Sequence, residues 1–159
     1  MDLMKDLGAL AFGSRLKRLS DKIMKQANSV YQDYGLDFEP KWFPLFYILS
    51  QKSELGIMEI ADNLGISHPG VIQLAKELEK KGWITSAKSK TDARKRILTL
   101  TKKGKLLLPK LQDIWEKIRQ VNEDLINNRQ HNLILAITEV EDLLTEKEYL
   151  IRFKEFHHL

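Results

Sequence analysis

Two short runs of helical periodicity, separated by a single glycine, constrain this chain more than any other feature. Ile60, Ala61 and Leu64 fall three and four residues apart and give one apolar helical face. Gly65 then ends the run, because glycine enters the left-handed conformation without a Cβ clash. Ser67 is suited to cap a second helix, and Pro69 is tolerated within its first turn. In that helix Val71, Leu74, Ala75 and Leu78 repeat at i, i+3, i+4 and i+7, the pattern of a buried stripe. His68, Ile72, Gln73 and Lys76 lie on the opposite face, and Gly82 closes the helix. The pair is predicted to be a helix-turn-helix whose second helix is held by one face and leaves the other open.

The residues C-terminal to this pair narrow the fold further. Trp83-Ile84-Thr85 and Arg96-Ile97-Leu98-Thr99-Leu100 are rich in β-branched and apolar residues and read as strands. The polar, basic stretch from Ser86 to Lys95 between them reads as a hairpin tip. A helix-turn-helix joined to a basic hairpin is a winged helix, in which a helix suits the major groove of DNA and the hairpin reaches phosphates or the minor groove beside it. Charge agrees with this placement. Residues 76–105 hold 11 Lys/Arg against 3 Asp/Glu, a local +8, while the flanking segments sum to −4. A basic centre between acidic flanks is the footprint of a phosphate-facing surface.

Asp92-x-Arg94 and then Leu100-Thr101-x-x-Gly104 resemble the wing signature of the MarR family of bacterial transcription regulators. The segment from Leu64 to Ser67, and then Lys80 to Ile84 (KKGWI), is similar to that family's recognition region. The resemblance extends from about Phe12 to Leu144. It implies a cytoplasmic, homodimeric regulator, a repressor by the family's habit, that binds double-stranded DNA at a pseudo-palindromic operator. The recognition helix then brings its N-terminal half to the bases. Ser67 and His68, with Pro69 beside them, meet phosphate or a base edge, Gln73 suits a bidentate pair with adenine, and Lys76 reaches a phosphate. Ile72 either rests on a thymine methyl or joins the core. The family often has Arg or Thr at the positions of Gln73 and Ile72, so a different operator is expected here. On the wing, Arg94 is the candidate for minor-groove insertion. Asp92 either orients it by a salt bridge or is an ordinary turn residue, and Lys88, Lys90, Lys95 and Arg96 are phosphate candidates.

The rest of the chain reads as helical. Phe12, Leu16, Leu19, Ile23, Ala27, Val30 and Tyr34 make a nearly heptad stripe within a helix predicted from Leu3 to Tyr34. After the turn Asp37-Phe38-Glu39-Pro40 comes a helix from about Lys41 to Lys52, apolar almost all round. The link to the helix-turn-helix offers Ile57 and Met58 where the family usually has a capping Ser or Thr. Thr101 is suited to cap a helix over Lys102–Asn127 containing Pro109, and another helix is expected from His131 to Leu144. Thr145-x-x-Glu148 resembles a capping box, predicting a separate last helix from Glu146 to Phe156.

The expected fold is therefore mainly α with a small β-hairpin wing. One domain over 1–159 is expected, with a DNA-binding lobe at 41–104 and helical dimerisation regions at 1–35 and 105–159. Long terminal stripes that need partners point to a two-fold dimer. In the family, small aromatic or amphipathic effectors bind between the dimer helices and the DNA-binding lobe. Leu19, Ile23, Trp42, Phe46, Tyr47 and Trp115 either line such a pocket or simply form core.

Several other classes find no support. The chain has no cysteine, which removes disulfides, thiolate metal sites and cysteine-based redox sensing. There is no Gly-rich phosphate loop, nucleophile elbow or paired metal motif, so neither an enzyme nor a cofactor is expected. No signal-peptide pattern opens the sequence and no run is long enough to span a bilayer, so no membrane association is expected. A winged helix used as a protein-interaction module, without a specific DNA target, is the alternative reading.

Overall fold

The computed structural model describes residues 2–89, 95–127 and 130–157. They form helices α1 (Leu3–Asp6), α2 (Phe12–Asp33) and α3 (Phe43–Gln51), a short strand β1 (Leu55–Gly56), and helices α4 (Ile57–Leu64) and α5 (His68–Lys80). Strands β2 (Ile84–Lys88) and β3 (Arg96–Leu100) come next, then helices α6 (Lys102–Asn127), α7 (Leu133–Glu146) and α8 (Tyr149–Phe156). No described helix is long and apolar enough to cross a membrane. The chain divides into two compact units, Met1–Ile114 and Trp115–Leu159, with the division inside α6. Thus α1 and α2 belong to the same unit as the winged helix.

In the first unit, α3 supplies the centre. Leu45, Phe46 and Leu49 are buried on it, joined by Ile57, Ile60 and Ala61 from α4 and by Val71, Ala75 and Leu78 from α5. Pro44 stands at the start of α3, where a missing N–H costs no helical bond. The three strands form one antiparallel sheet in the order β1-β3-β2, with Leu55 opposite Leu98 and Ile84 opposite Leu100. All four of these side chains are buried. Phe38 sits among Tyr31, Trp42, Phe46 and Trp83, its ring centroid 5.0 to 5.8 Å from each of theirs. Apolar burial on this scale, at ~25 cal/mol per Å2, is the main force holding the unit together.

Three local expectations need correction, and the start of α4, which the sequence leaves without a capping side chain, finds its physical account. The predicted helix from Leu3 to Tyr34 is interrupted: the chain turns at Gly8, whose φ is +54°, and passes through a 3-10 turn at Gly8–Ala11 before α2 begins. Trp83 is not part of the first strand, because its N–H closes the end of α5 on the Leu78 carbonyl (3.1 Å). With Gly82 N–H on the Glu79 carbonyl (2.8 Å), this is a Schellman motif. The start of α4 has no side-chain cap. Its approach is fixed instead by β1 pairing with β3, a strand too short to carry periodicity. Finally, Thr145 lies inside α7, its hydroxyl donating to the Glu141 carbonyl (3.0 Å). The break comes at Lys147, which is extended, and α8 starts after Glu148.

The expected cap at Thr101 is present. Its Oγ1 accepts the Gly104 N–H (3.1 Å) and donates to the Gly82 carbonyl (2.7 Å), which joins the start of α6 to the end of α5. In the second unit Asn132 caps α7 through Oδ1 on the Leu135 N–H (3.1 Å). Neither α7 nor α8 contains a buried residue.

Candidate nucleic-acid interface

The reading helix is positioned by its ends and by one face. Gly65 takes φ +61° between α4 and α5, and Ser67 Oγ accepts the Gly70 N–H (3.2 Å), so the entry of α5 is capped. Val71, Ala75 and Leu78 are buried. The other face presents Ser67, His68, Pro69, Gln73 and Lys76, all exposed. Ile72 is half-buried, neither sealed in the core nor fully presented. The N-terminal turn of this helix carries the positive end of its dipole, although Pro69 has no N–H and the Gly70 N–H is already bonded to Ser67 Oγ, and this favours phosphate beside Ser67 and His68.

The wing rises from β2 and β3, which pair from Ile84–Leu100 out to Lys88–Arg96. The Ser89 N–H donates to the Lys95 carbonyl (2.8 Å), and Lys88 and Lys95 are exposed at this outer end. Lys90, Asp92 and Arg94 lie outside the described residues. Arg96, expected to meet phosphate, is engaged within the protein. Its Nε donates to Ser86 Oγ (2.8 Å) and its Nη2 lies 3.3 Å from both Glu79 oxygens. The Ser86 hydroxyl also donates to Glu79. This trio ties the wing to α5.

A second carboxylate on α5 organises the reading face. Glu77 Oε2 accepts the Trp42 indole N–H (2.6 Å) and pairs with Lys41 Nζ (2.9 Å), while Oε1 accepts the Gln73 amide N–H (3.0 Å). The Lys41 ammonium, with help from the Trp42 indole and the Gln73 amide, holds the Glu77 carboxyl down to about 2. Lys41 is raised in turn by Glu77 and Glu39. The ammonium groups of Lys41 and Lys81 also lie 5.6 and 5.5 Å from the Trp42 ring centroid. Each of the two glutamates is thus paired with a cation, which weakens their repulsion of an approaching phosphate backbone.

Of the six residues expected around an effector, the five in the first unit take different surroundings. Leu19 and Ile23 are exposed on α2, and Trp42 and Phe46 are buried with Phe38 and Trp83. Tyr47 is exposed beside Phe43, and Trp115 is the half-buried first residue of the second unit. Only Leu19 lines either of two open clefts along α2. Sequence reasoning missed Glu77, Glu79 and Lys41 as site residues. The Gln73-x-x-x-Glu77 spacing was a legible i, i+4 pair. Trp42 and Lys41 lie more than 30 residues away in sequence and left no local signal.

Comparisons with known proteins agree with this geometry. Residues 34–95 match the model of the MarR family. The transcriptional repressor MprA of Escherichia coli K12 is 26% identical over 132 residues, covering 77% of this chain and 74% of MprA. Among solved structures, a mutant Escherichia coli MarR complexed with operator DNA is 14% identical and has a TM-score of 0.68, covering 91% of this chain and 99% of that chain. BldR of Sulfolobus solfataricus, a transcriptional regulator, is 16% identical with a TM-score of 0.63, over 92% and 99% of the two chains. The winged helix, its capped reading helix and these matches together make the chain similar to the MarR family of transcriptional regulators, with the family match itself lying over residues 34–95.

Proposed function

We propose that this protein binds double-stranded DNA as a homodimer at a pseudo-palindromic operator and represses transcription. The observation that carries the reading is the open face of α5, with His68, Gln73 and Lys76 exposed beside a hairpin whose outer end carries Lys88 and Lys95. Arg94, in the basic segment between the strands, is assigned to the minor groove. Support for repression comes from MprA, and for an operator from the DNA complex of MarR. The dimer is supported by apolar side chains left in water. Phe12, Leu16, Leu19 and Ile23 on α2 are 39–51% exposed, and Leu133, Leu143, Leu150, Ile151 and Phe153 are exposed on α7 and α8. A two-fold dimer supplies two reading helices, which suits half-sites one DNA turn apart, about 34 Å.

The test is selection of tight binders from a random DNA pool, and then a salt titration. Enrichment of a two-fold symmetric sequence, with affinity falling steeply as salt rises, is the expected result. No enrichment, with weak binding at physiological salt, rejects it in favour of a protein-interaction module. Arg94→Ala is expected to weaken operator binding by about tenfold or more, within the range of roughly one to three kcal/mol for a specific contact. Circular dichroism on the same variant should show an unchanged fold.

The reading extends to relief by a small aromatic acid. BpsR of Bordetella bronchiseptica, described with 6-hydroxynicotinic acid as regulating its DNA binding, supports the class. An open cleft of about 790 Å3 between α2 and the loop before α3, lined by Met24, Lys25, Asn28, Phe38 and Lys41 among others, offers apolar walls and ammonium groups. Titration with salicylate should change tryptophan fluorescence and lower operator affinity. If neither moves, the effector part is rejected.

A further inference from the structure

The network around Glu77 bears on which base the reading helix accepts. Glu77 is ionised near neutral pH and is therefore an acceptor only. Its Oε2 is occupied from the protein interior by the Trp42 indole N–H and Lys41 Nζ, at 2.6 and 2.9 Å. Trp42 is 2% exposed and packed edge-on against Phe38 and Trp83, so this end of the network is anchored in the core. Oε1 faces Gln73, and the contact there is 3.0 Å. A carboxylate oxygen can face only a donor, so the Gln73 amide must turn its NH2 group inward. What remains facing outward is one carbonyl oxygen and one N–H. That pair complements adenine, whose major-groove edge offers N6–H to donate and N7 to accept.

We propose that Glu77, held by Trp42 and Lys41, is a positioning residue that fixes the orientation of the Gln73 amide and so selects adenine over guanine at the base pair Gln73 reads. This rests on the DNA-binding function proposed above. The chemistry makes a sharp demand of the isosteric change Glu77→Gln. The two donors at Trp42 and Lys41 keep an oxygen on their side, so the new NH2 group faces Gln73. Gln73 then turns its own oxygen inward and presents both N–H groups outward. Two donors match guanine, whose O6 and N7 both accept.

The experiment first selects the wild-type operator, then measures affinities for operators changed at single base pairs. Gln73→Ala locates the pair that Gln73 reads. At that pair, Glu77→Gln is expected to lower the adenine-over-guanine preference by at least about fivefold, the lower end of what one bidentate contact discriminates. Preferences elsewhere stay put, and the Gln73→Ala/Glu77→Gln double variant matches Gln73→Ala at that pair. Glu77→Ala, which frees the amide to take either orientation, should narrow the same preference without reversing it. Thermal melts confirm that each variant folds. If the Glu77 variants weaken all sequences equally and leave the base preference intact, Glu77 is only structural and the proposal is overturned. Independent, additive effects of the two positions overturn it as well. A wild-type protein that selects no sequence overturns the DNA-binding function itself, a result distinct from either.

Discussion

At Gly104 the need is for the absence of a side chain. A Cβ built there meets the Trp83 carbonyl oxygen at 2.1 Å and its carbon at 3.0 Å, both backbone atoms that cannot swing away. The same carbonyl accepts the Thr101 N–H (3.0 Å), so it is pinned in place. Gly104→Ala is expected to cost about 1–3 kcal/mol as an overpacking change, read as a lower urea midpoint with an unchanged slope. Glu77 is the complementary case, a residue that needs its charge. A carboxyl group whose folded pKa is depressed adds stability above its unfolded pKa and loses it as pH falls toward the folded value. For Glu77 that window runs from 4.5 down to about 2. Glu77→Gln is expected to flatten the loss of stability across this window, measured as denaturant midpoints against pH. The glycine was visible in the sequence as part of the Leu100-Thr101-x-x-Gly104 motif, but its reason was not, because Trp83 is 21 residues away in the chain. The same holds for Glu77: its helix neighbour Gln73 was in plain view, and its anchors on the other side of the fold were not.

At the scale of elements, the wing is held by more than its own ladder. Arg96 on β3 and Ser86 on β2 both reach Glu79 on α5, so the middle and outer part of the ladder moves with the reading helix. Exposed ion pairs are usually worth little alone, but here Arg96 contacts both Glu79 oxygens and Ser86 shares the acceptor. Glu79→Ala is expected to speed amide hydrogen exchange in β2 and β3 while leaving α4 protected. Equal protection of the wing in variant and wild type would show that the ladder alone holds it. Elements with strong periodicity, such as α5 and α6, could be bounded from sequence to within a residue or so. Those fixed by single contacts could not. β1 is two residues long, and the interruption near Gly8 sits in a run whose apolar spacing continues on either side.

For the whole molecule, the charge pattern and the uncovered apolar stripes argue in the same direction. Charge is concentrated over residues 76–105, the stretch proposed to meet DNA, while α2 and the helices of the second unit leave large side chains in water. A charge placed on the α2 stripe should prevent a second copy from covering it at the cost of little in the free chain, since Leu19 and Ile23 are already 44% and 43% exposed. The double change Leu19→Glu with Ile23→Glu is expected to shift sedimentation from dimer to monomer and to weaken operator binding, because one reading helix holds only one half-site. A sedimentation profile that matches wild type would exclude this stripe from the interface. The helical stripes themselves were legible from spacing alone. That α2 belongs to the same compact unit as the winged helix was not, because periodicity gives a face and never names what lies opposite it.

The sequence by itself determined the order of the longer helices and the two hairpin strands, the capped turn at Ser67, the exposed face of α5 and the location of the basic hairpin. Each of these comes from local rules: spacing of apolar residues, the conformations open to glycine, and the side chains that can close a helix end. Only the tertiary structure decided that Phe38 belongs to the aromatic core, that Arg96 faces Glu79, and that Trp42 and Lys41 hold the carboxylate beside Gln73. These contacts join residues far apart in the chain, and their partners are chosen by packing in three dimensions, on which a linear pattern places no constraint.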